Sequence, residues 1–152
     1  MIIFLLSLMS GAADLSDAQV ANKVHEAMAA RHMDSCDAVR ALGNADQVRA
    51  ALIQATEHQA PPWAPLRAAG CLTEFVEADP LAMAHARALL RDKARPGFVL
   101  AITEKLDVLP SHVALELAET AWVTARVEPR LTRRVQSTLQ SSTHASVRAV
   151  LK

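Results

Sequence analysis

Apolar residues recur at helical spacing along most of this chain, beginning shortly after residue 13. In the first such stretch Val20, Val24 and Met28 follow one another at intervals of four, which places them on one face of a helix. Ser16 precedes this stripe, and Gln19 follows Ser16 by three residues, which is the spacing of a capping box. The pattern therefore predicts a first helix over about 16–31.

The same spacing predicts eight further helices, about nine in all, most of them opening at a proline or at a capping side chain. The second helix is predicted over about 35–42, with Asp34 or Ser35 as its cap and Gly43-Asn44 as its stop. The third, fourth and fifth are predicted over about 45–57, 63–78 and 80–93, and the sixth opens at Pro96-Gly97 and reaches Leu109. The seventh is predicted over about 111–126, the eighth opens at Glu128-Pro129 and reaches Leu139, and a last short helix is capped by Ser142-Thr143. Such short connections make consecutive helices pack as antiparallel neighbours.

Composition agrees with this pattern. Alanine, leucine, arginine and glutamate favour helices, aromatic residues make up only 3% of the chain, and four glycines leave little material for hairpin turns. A chain of 152 residues is long enough for one domain with its own core. We therefore expect an all-α fold in a single domain over 14–152.

Two short runs suggest an internal repeat. Leu66-Arg67-Ala68-Ala69 and Val147-Arg148-Ala149-Val150 align at a separation of 81 residues, about two units of forty. With the regularly spaced prolines, these runs resemble the HEAT-like α-solenoid repeats. The resemblance implies a short right-handed stack of helical hairpins that offers a binding surface and is not an enzyme. The alternative is an irregular globular helical bundle.

Residues 1–13 read MIIFLLSLMSGAA and carry no charge. Their apolar run, Ile2–Met9, is eight residues long, far short of the ~20 that span a bilayer, and it ends in small residues. This pattern predicts a signal peptide cleaved near Ala13 and export to the periplasm or the medium, although the segment lacks Lys or Arg. The alternative is a buried first strand or helical turn of a cytosolic protein.

Cys36 and Cys71 are the two cysteines of the chain. In an oxidising compartment they can pair, whereas the alternative is two buried free thiols that act as small apolar side chains. The resemblance to a two-layer stack implies that the second and fourth helices, which carry these cysteines, are neighbours in one layer.

A search for catalytic chemistry starts from the six histidines. His25 and His32 are seven residues apart, with Asp34, Cys36 and Asp37 close behind, and all three side-chain types bind zinc. No metal-binding spacing, nucleophile elbow or phosphate-binding glycine loop accompanies them. We therefore expect neither an enzyme nor a cofactor; the alternative is a small exported metal-binding or enzymatic helical protein using His25, His32 and the nearby acids.

Charge is balanced over the whole chain but not along it. From residue 126 onward there are six basic residues and one acidic residue, so residues 1–125 carry a net charge of −5. Arg126, Arg130, Arg133 and Arg134 form a cluster that can bind an acidic partner or anionic lipid headgroups. No aromatic side chains alternate with them for stacking on bases, so we expect a protein partner and no nucleic acid.

Overall fold

The computed structural model describes residues 14–33 and 35–152. This part of the chain is all-helical, as predicted, and its helices pack against one another. In chain order the helices are α1 Asp17–Ala29, α2 Cys36–Arg40, α3 Ala45–Ala55, α4 Ala64–Thr73, α5 Pro80–Arg91, α6 Gly97–Thr103, a 3-10 turn Leu106–Val108, α7 Ser111–Ala125, α8 Pro129–Ser141 and α9 Ala145–Ala149. The predicted signal peptide, residues 1–13, lies outside the described residues.

Side chains at the helix starts explain where two of these helices begin. The Ser16 hydroxyl accepts a hydrogen bond from the Gln19 N–H at 3.3 Å, and the Gln19 side chain accepts one from the Ser16 N–H at 2.9 Å. This is the predicted capping box of α1. Asn44 and Gln47 form the same arrangement at the start of α3. Asn44 therefore begins α3, whereas the sequence pattern treated Gly43-Asn44 as the end of the preceding helix.

Proline-marked starts are confirmed for α5 and α8. Asp79 precedes Pro80, and its carboxylate accepts hydrogen bonds from the N–H groups of Leu81 at 2.9 Å and Ala82 at 3.2 Å. Glu128 caps α8 in the same way, immediately before Pro129. Each carboxylate thus satisfies the first N–H groups of a helix, which have no partner within the helix itself.

Each long helix packs mainly on the next helix and on the next but one. Setting the five-residue α2 aside, contacts link α1, α4, α6 and α8 in one row and α3, α5, α7 and α9 in a second row. Further contacts join neighbours across the two rows. The core between the rows is built around Phe98, Met28 and several leucines, and eleven of its buried residues are alanines. Small side chains let the helix axes approach closely, which suits a chain with few aromatic residues.

Several predicted helix limits are wrong in detail. The helix predicted over 63–78 ends at Thr73, because the next residues form hydrogen bonds to the residue three positions back instead of four. The sixth predicted helix divides in the same way into α6 and the 3-10 turn. Ser142-Thr143 does not cap α9, since His144 occupies that position and makes no side-chain capping bond.

No helix in the described part of the chain is both long and apolar enough to cross a membrane.

Candidate functional site

The four clustered arginines lie where α7 ends and along α8. Arg126 is the residue that follows α7, while Arg130, Arg133 and Arg134 belong to the first two turns of α8, and all four are exposed. Glu128, the one acidic residue of the segment, accepts hydrogen bonds from the backbone N–H groups of Arg130 at 3.0 Å and Leu131 at 2.6 Å. Its carboxylate thus caps α8 and, in the described residues, forms no ion pair with the four arginines.

Half of the ten basic residues upstream of Arg126 have carboxylate partners in the described residues. The ion pairs are Arg40 with Asp37 and Glu74, Arg49 with Asp46 and Asp79, Arg87 with Glu116, Arg95 with Glu57 and Asp92, and Lys105 with Glu74. Among the six basic residues from Arg126 onward, none has a carboxylate within 4.0 Å in the part of the chain that the structure describes. The cluster is therefore a set of guanidinium groups without an internal counter-charge.

Arg148 lies in the same segment but has a structural role. Its guanidinium donates hydrogen bonds to the carbonyl oxygens of Ser142 at 2.6 Å and Thr143 at 3.1 Å, just beyond the end of α8. Arg67 acts similarly at the end of α1, where it donates to the carbonyls of Met28 and Arg31, each at 3.2 Å. Both side chains satisfy carbonyl groups that a helix end leaves without partners.

A groove beside Arg126 gives the cluster an apolar neighbour. The groove has a volume of about 670 Å³ and runs between α7 and the residues after α9. Its walls are Glu119, Trp122, Val123, Arg126, Val150, Leu151 and Lys152. Val123, in the last turn of α7, is 58% exposed. On the other side of Val123 a second groove of about 250 Å³ reaches Arg91 at the end of α5.

The two cysteines form a disulfide in the structure, with Cα atoms 5.2 Å apart. The bond joins α2 to α4 and so ties the connection between α1 and α3 to the body of the fold. The cysteines of the second and fourth helices are thus close enough to pair, as the stack implies. Since α2 is a short helix within a connection, the helix beside α4 in its row is α1. Lys105 Nζ lies 3.8 Å from Cys36 Sγ.

The histidines do not assemble the proposed metal site in the described residues. The ring of His25 packs against that of His58, with centroids 4.5 Å apart, and His25 Nδ1 is buried without a hydrogen-bond partner there. His32 is exposed in the turn after α1, and Asp34 lies outside the described residues. Within 14–33 and 35–152, no three His, Cys, Asp or Glu side chains come together as metal ligands.

His85 is a half-buried histidine on α5 with a lowered pKa. Its Nε2 lies 2.9 Å from the Thr56 hydroxyl. Burial lowers its pKa below the ordinary value, the nearby Glu57 opposes that effect and Arg95 adds to it. The ring is therefore held more firmly in its neutral form, which suits a packing role in the fold.

Sequence reasoning identified the arginines but missed the grooves. The signal for the grooves is weak in the sequence because α7 carries apolar residues on almost every side. Val123 and Val127, which are exposed, fall outside the stripe formed by Val113, Leu117 and Ala121. Valine at exposed positions next to the basic cluster is the feature that could have pointed to this surface.

Comparison with protein-family models, with curated proteins and with solved structures finds no match to this chain. The case for a function therefore rests on the chain itself, and within it on the arginine cluster and the grooves beside it.

Proposed function

We propose that this protein is a non-enzymatic, exported helical-repeat module that binds another protein, with Arg126, Arg130, Arg133 and Arg134 as its contact surface. The observation that carries the proposal is that these four exposed arginines are close together and have no carboxylate partner in the described residues, whereas five of the ten basic residues upstream of them do. Guanidinium groups present planar sets of donors that match carboxylates. The partner that fits this surface is a protein with an acidic patch.

Two features support the HEAT-like, solenoid part of the proposal. The helices contact their nearest and next-nearest neighbours, which is the order that stacked hairpins produce. Arg67 and Arg148, the arginines of the two similar runs, both donate hydrogen bonds to carbonyls at the end of another helix. Repeated units that pack in the same way would place the same arginine contact in each unit. Stacked hairpins also offer extended surfaces for binding partners.

The apolar residues before Asp14 and the disulfide support export. Disulfides persist in oxidising compartments and are rare in the cytosol, where thiols are kept reduced. We expect protein from its native cell to have the intact mass of a chain that begins near Asp14, with the mass rising by two hydrogens on reduction. A full-length mass with two thiols would contradict export and place the partner in the cytosol.

Charge removal at α8 tests the proposed contact surface. We expect the Arg130→Gln, Arg133→Gln, Arg134→Gln variant to lose partners that the unaltered protein captures from an exported protein fraction. The matched control is Lys23→Gln, Arg31→Gln, Lys93→Gln, which removes the same charge from three other exposed positions. Equal loss in both variants would show that net charge alone governs binding and would contradict a specific surface.

Anionic lipid is the competing ligand for the same arginines. Vesicles with and without an anionic phospholipid distinguish it, because a basic surface binds charged headgroups and releases them as salt is raised. We expect at most weak, non-saturating sedimentation with these vesicles. Tight binding to vesicles by the unaltered protein, lost in the α8 variant, would replace the protein partner with a membrane surface.

A further inference from the structure

We propose that the two grooves on either side of Val123 hold a peptide segment of the partner that is aliphatic at its centre and acidic at both ends. This inference rests on the proposed function, since it names the part of an acidic partner that the surface recognises. In this proposal α7 and the residues after α9 contact the apolar side chains of the segment, and the neighbouring arginines contact its carboxylates.

The centre of this surface is apolar and open to solvent. Val123 separates the two grooves and contributes to the walls of both. On one side, Trp122, Val150 and Leu151 add further apolar wall in the larger groove. An aliphatic side chain laid across Val123 would be removed from water on two sides, which favours binding.

The ends of the surface are basic. Arg91 lines the smaller groove, on one side of Val123, while Arg126 and Lys152 line the larger groove on the other side. In the described residues none of these three cations has a carboxylate within 4.0 Å. Carboxylates on a bound segment would supply the missing counter-charges at both ends.

One acidic residue fixes the order of charges along the segment. Glu119 lines both grooves beside Val123, so a carboxylate placed at the centre of the segment would face a like charge. Like charges brought together at an interface weaken binding. A segment with its acidic residues at the centre is therefore disfavoured. The surface therefore favours an acidic–aliphatic–acidic order over the same residues with the acids in the middle.

Two synthetic peptides of identical composition test this order. The first has glutamates at both ends and leucines at its centre, and the second has leucines at both ends and glutamates at its centre. Trp122 reports binding by its fluorescence in a Trp63→Phe background, because the chain contains only these two tryptophans. We expect the first peptide to bind at least about tenfold more tightly than the second.

Matched valine variants locate the binding surface. Val123→Ser removes the apolar centre of the surface and is expected to weaken the first peptide about tenfold. Val108→Ser is the control, because Val108 is 65% exposed in the 3-10 turn, outside both grooves, and its replacement should leave the affinity unchanged. Both positions are exposed, so both variants should keep the far-ultraviolet circular dichroism spectrum of the unaltered protein.

The outcomes separate this inference from the proposed function. Equal binding of the two peptides that is insensitive to Val123→Ser but lost in the α8 triple variant overturns the groove and keeps the arginine surface. Failure of both peptides to bind also overturns the groove, and the capture experiment with the α8 variant then decides the proposed function independently. A larger change in Trp122 emission with anionic vesicles than with either peptide would overturn the inference in favour of lipid.

Discussion

The Asp79 carboxylate combines two stabilising contacts in one side chain. It caps α5 through the N–H groups of Leu81 and Ala82, and it forms a 2.5 Å ion pair with Arg49. Burial by itself raises the pKa of Asp79, but the hydrogen bond from Arg49 and those from the two N–H groups outweigh burial and lower it below its ordinary value. The charged form of Asp79 is therefore the one that stabilises the fold.

Replacing Asp79 separates these two contacts. Asp79→Ala removes both the cap and the ion pair, and loss of the cap alone is expected to lower the free energy of unfolding by about 1 kcal/mol. Asp79→Asn should cost less, because asparagine is also a good N-cap. Urea unfolding followed by circular dichroism measures both variants.

Asp46 provides the control for Asp79. It pairs with the same arginine at 2.7 Å, but its side chain is 84% exposed. Since exposed ion pairs contribute little to stability, Asp46→Ala should change unfolding much less than Asp79→Ala. Equal losses at the two positions would contradict the importance of the cap.

Two glycines with opposite surroundings give a second prediction. A Cβ on Gly43 would lie 2.8 Å from Val20 Cγ2, and Val20 is fully buried in the core. A Cβ on Gly70, within α4, would meet nothing closer than Lys105 Cε at 3.6 Å, which is ordinary contact. We expect Gly43→Ala to lower the melting temperature. Gly70→Ala should raise stability by about 1 kcal/mol, because alanine favours helix over glycine by that amount.

Thermal unfolding of the two glycine variants, measured side by side, checks the prediction. Both substitutions add the same methyl group and reduce the entropy of the unfolded chain equally, so the difference between them reports the folded state. A stabilised Gly43→Ala variant would show that Val20 moves aside at no cost.

Asp107 predicts a dependence of stability on pH. A hydrogen bond from the Ser142 hydroxyl at 2.5 Å and bonds from the Thr143 N–H lower the pKa of Asp107, against the opposing effect of burial. A lowered folded-state pKa means that the unfolded chain binds the proton more tightly. The stabilisation by Asp107 is therefore complete at neutral pH and is lost as the pH falls below about 4 and through the folded-state pKa.

The Asp107→Asn variant tests this assignment. Its unfolding free energy should lie below that of the unaltered protein at neutral pH, and the gap should close as the pH falls below about 4. Urea unfolding across that range measures the gap. The same pH-dependent gap in Glu104→Gln, which removes a charge from an exposed neighbouring position, would attribute the effect to net charge.

At the scale of helices, the starts were predictable and the ends were less so. Ser16 with Gln19 and the prolines at positions 80 and 129 announce helix starts in the sequence, because capping side chains and a first-turn proline act locally. The end of α4 at Thr73 was not predictable. After Thr73 the backbone N–H groups donate to the carbonyl three residues earlier, and this tighter winding keeps the apolar side chains facing the core almost as an α-helix does. Val76 is therefore buried although it lies beyond the end of α4.

The candidate site shows the same division between local and tertiary information. The arginines near α8 stand out in the sequence because their charges are close along the chain. The groove was hidden because Trp122 and Leu151 come together only through the packing of α7 on α9. With two cysteines in the chain, the sequence offered one possible disulfide beside the alternative of two free thiols. The place of α2 within a connection depended on the lengths of the packed helices.

The disulfide is the main covalent constraint between helices, and its removal should be costly. It joins positions separated by 35 residues, and in the loop-closure model a loop of that length contributes about 3–4 kcal/mol to the free energy of unfolding. We expect a loss of that size when the protein is unfolded in urea with a reductant.

A variant without cysteines provides the control for reduction. The Cys36→Ala, Cys71→Ala protein should have the lowered stability already and should not respond to the reductant. A response to the reductant in that variant would show that the effect does not come from the disulfide. Unchanged stability of the unaltered protein after verified reduction would show that the disulfide adds little to the helix packing around it.

At the scale of the whole molecule, the order of helix contacts predicts how stability is distributed. Because the main contacts of each helix in the described residues are with its nearest and next-nearest neighbours, the first and last of these helices are linked mainly through those between them. In such an arrangement, a local defect loosens its own neighbourhood first, and distant helices keep most of their stability.

Two buried leucines near opposite ends of the chain test this distribution by amide hydrogen exchange. Leu139 in α8 and Leu52 in α3 are both fully buried, and each leucine-to-alanine substitution is expected to cost about 2–5 kcal/mol. Leu139→Ala should speed exchange mainly in α8, α9 and the end of α7, and Leu52→Ala mainly in α1, α3 and α4. Faster exchange of similar size in all helices, from either substitution, would instead show one cooperative unit. In that case the proposed binding surface on α7 and α8 could not unfold locally without loosening α1 and α3 as well.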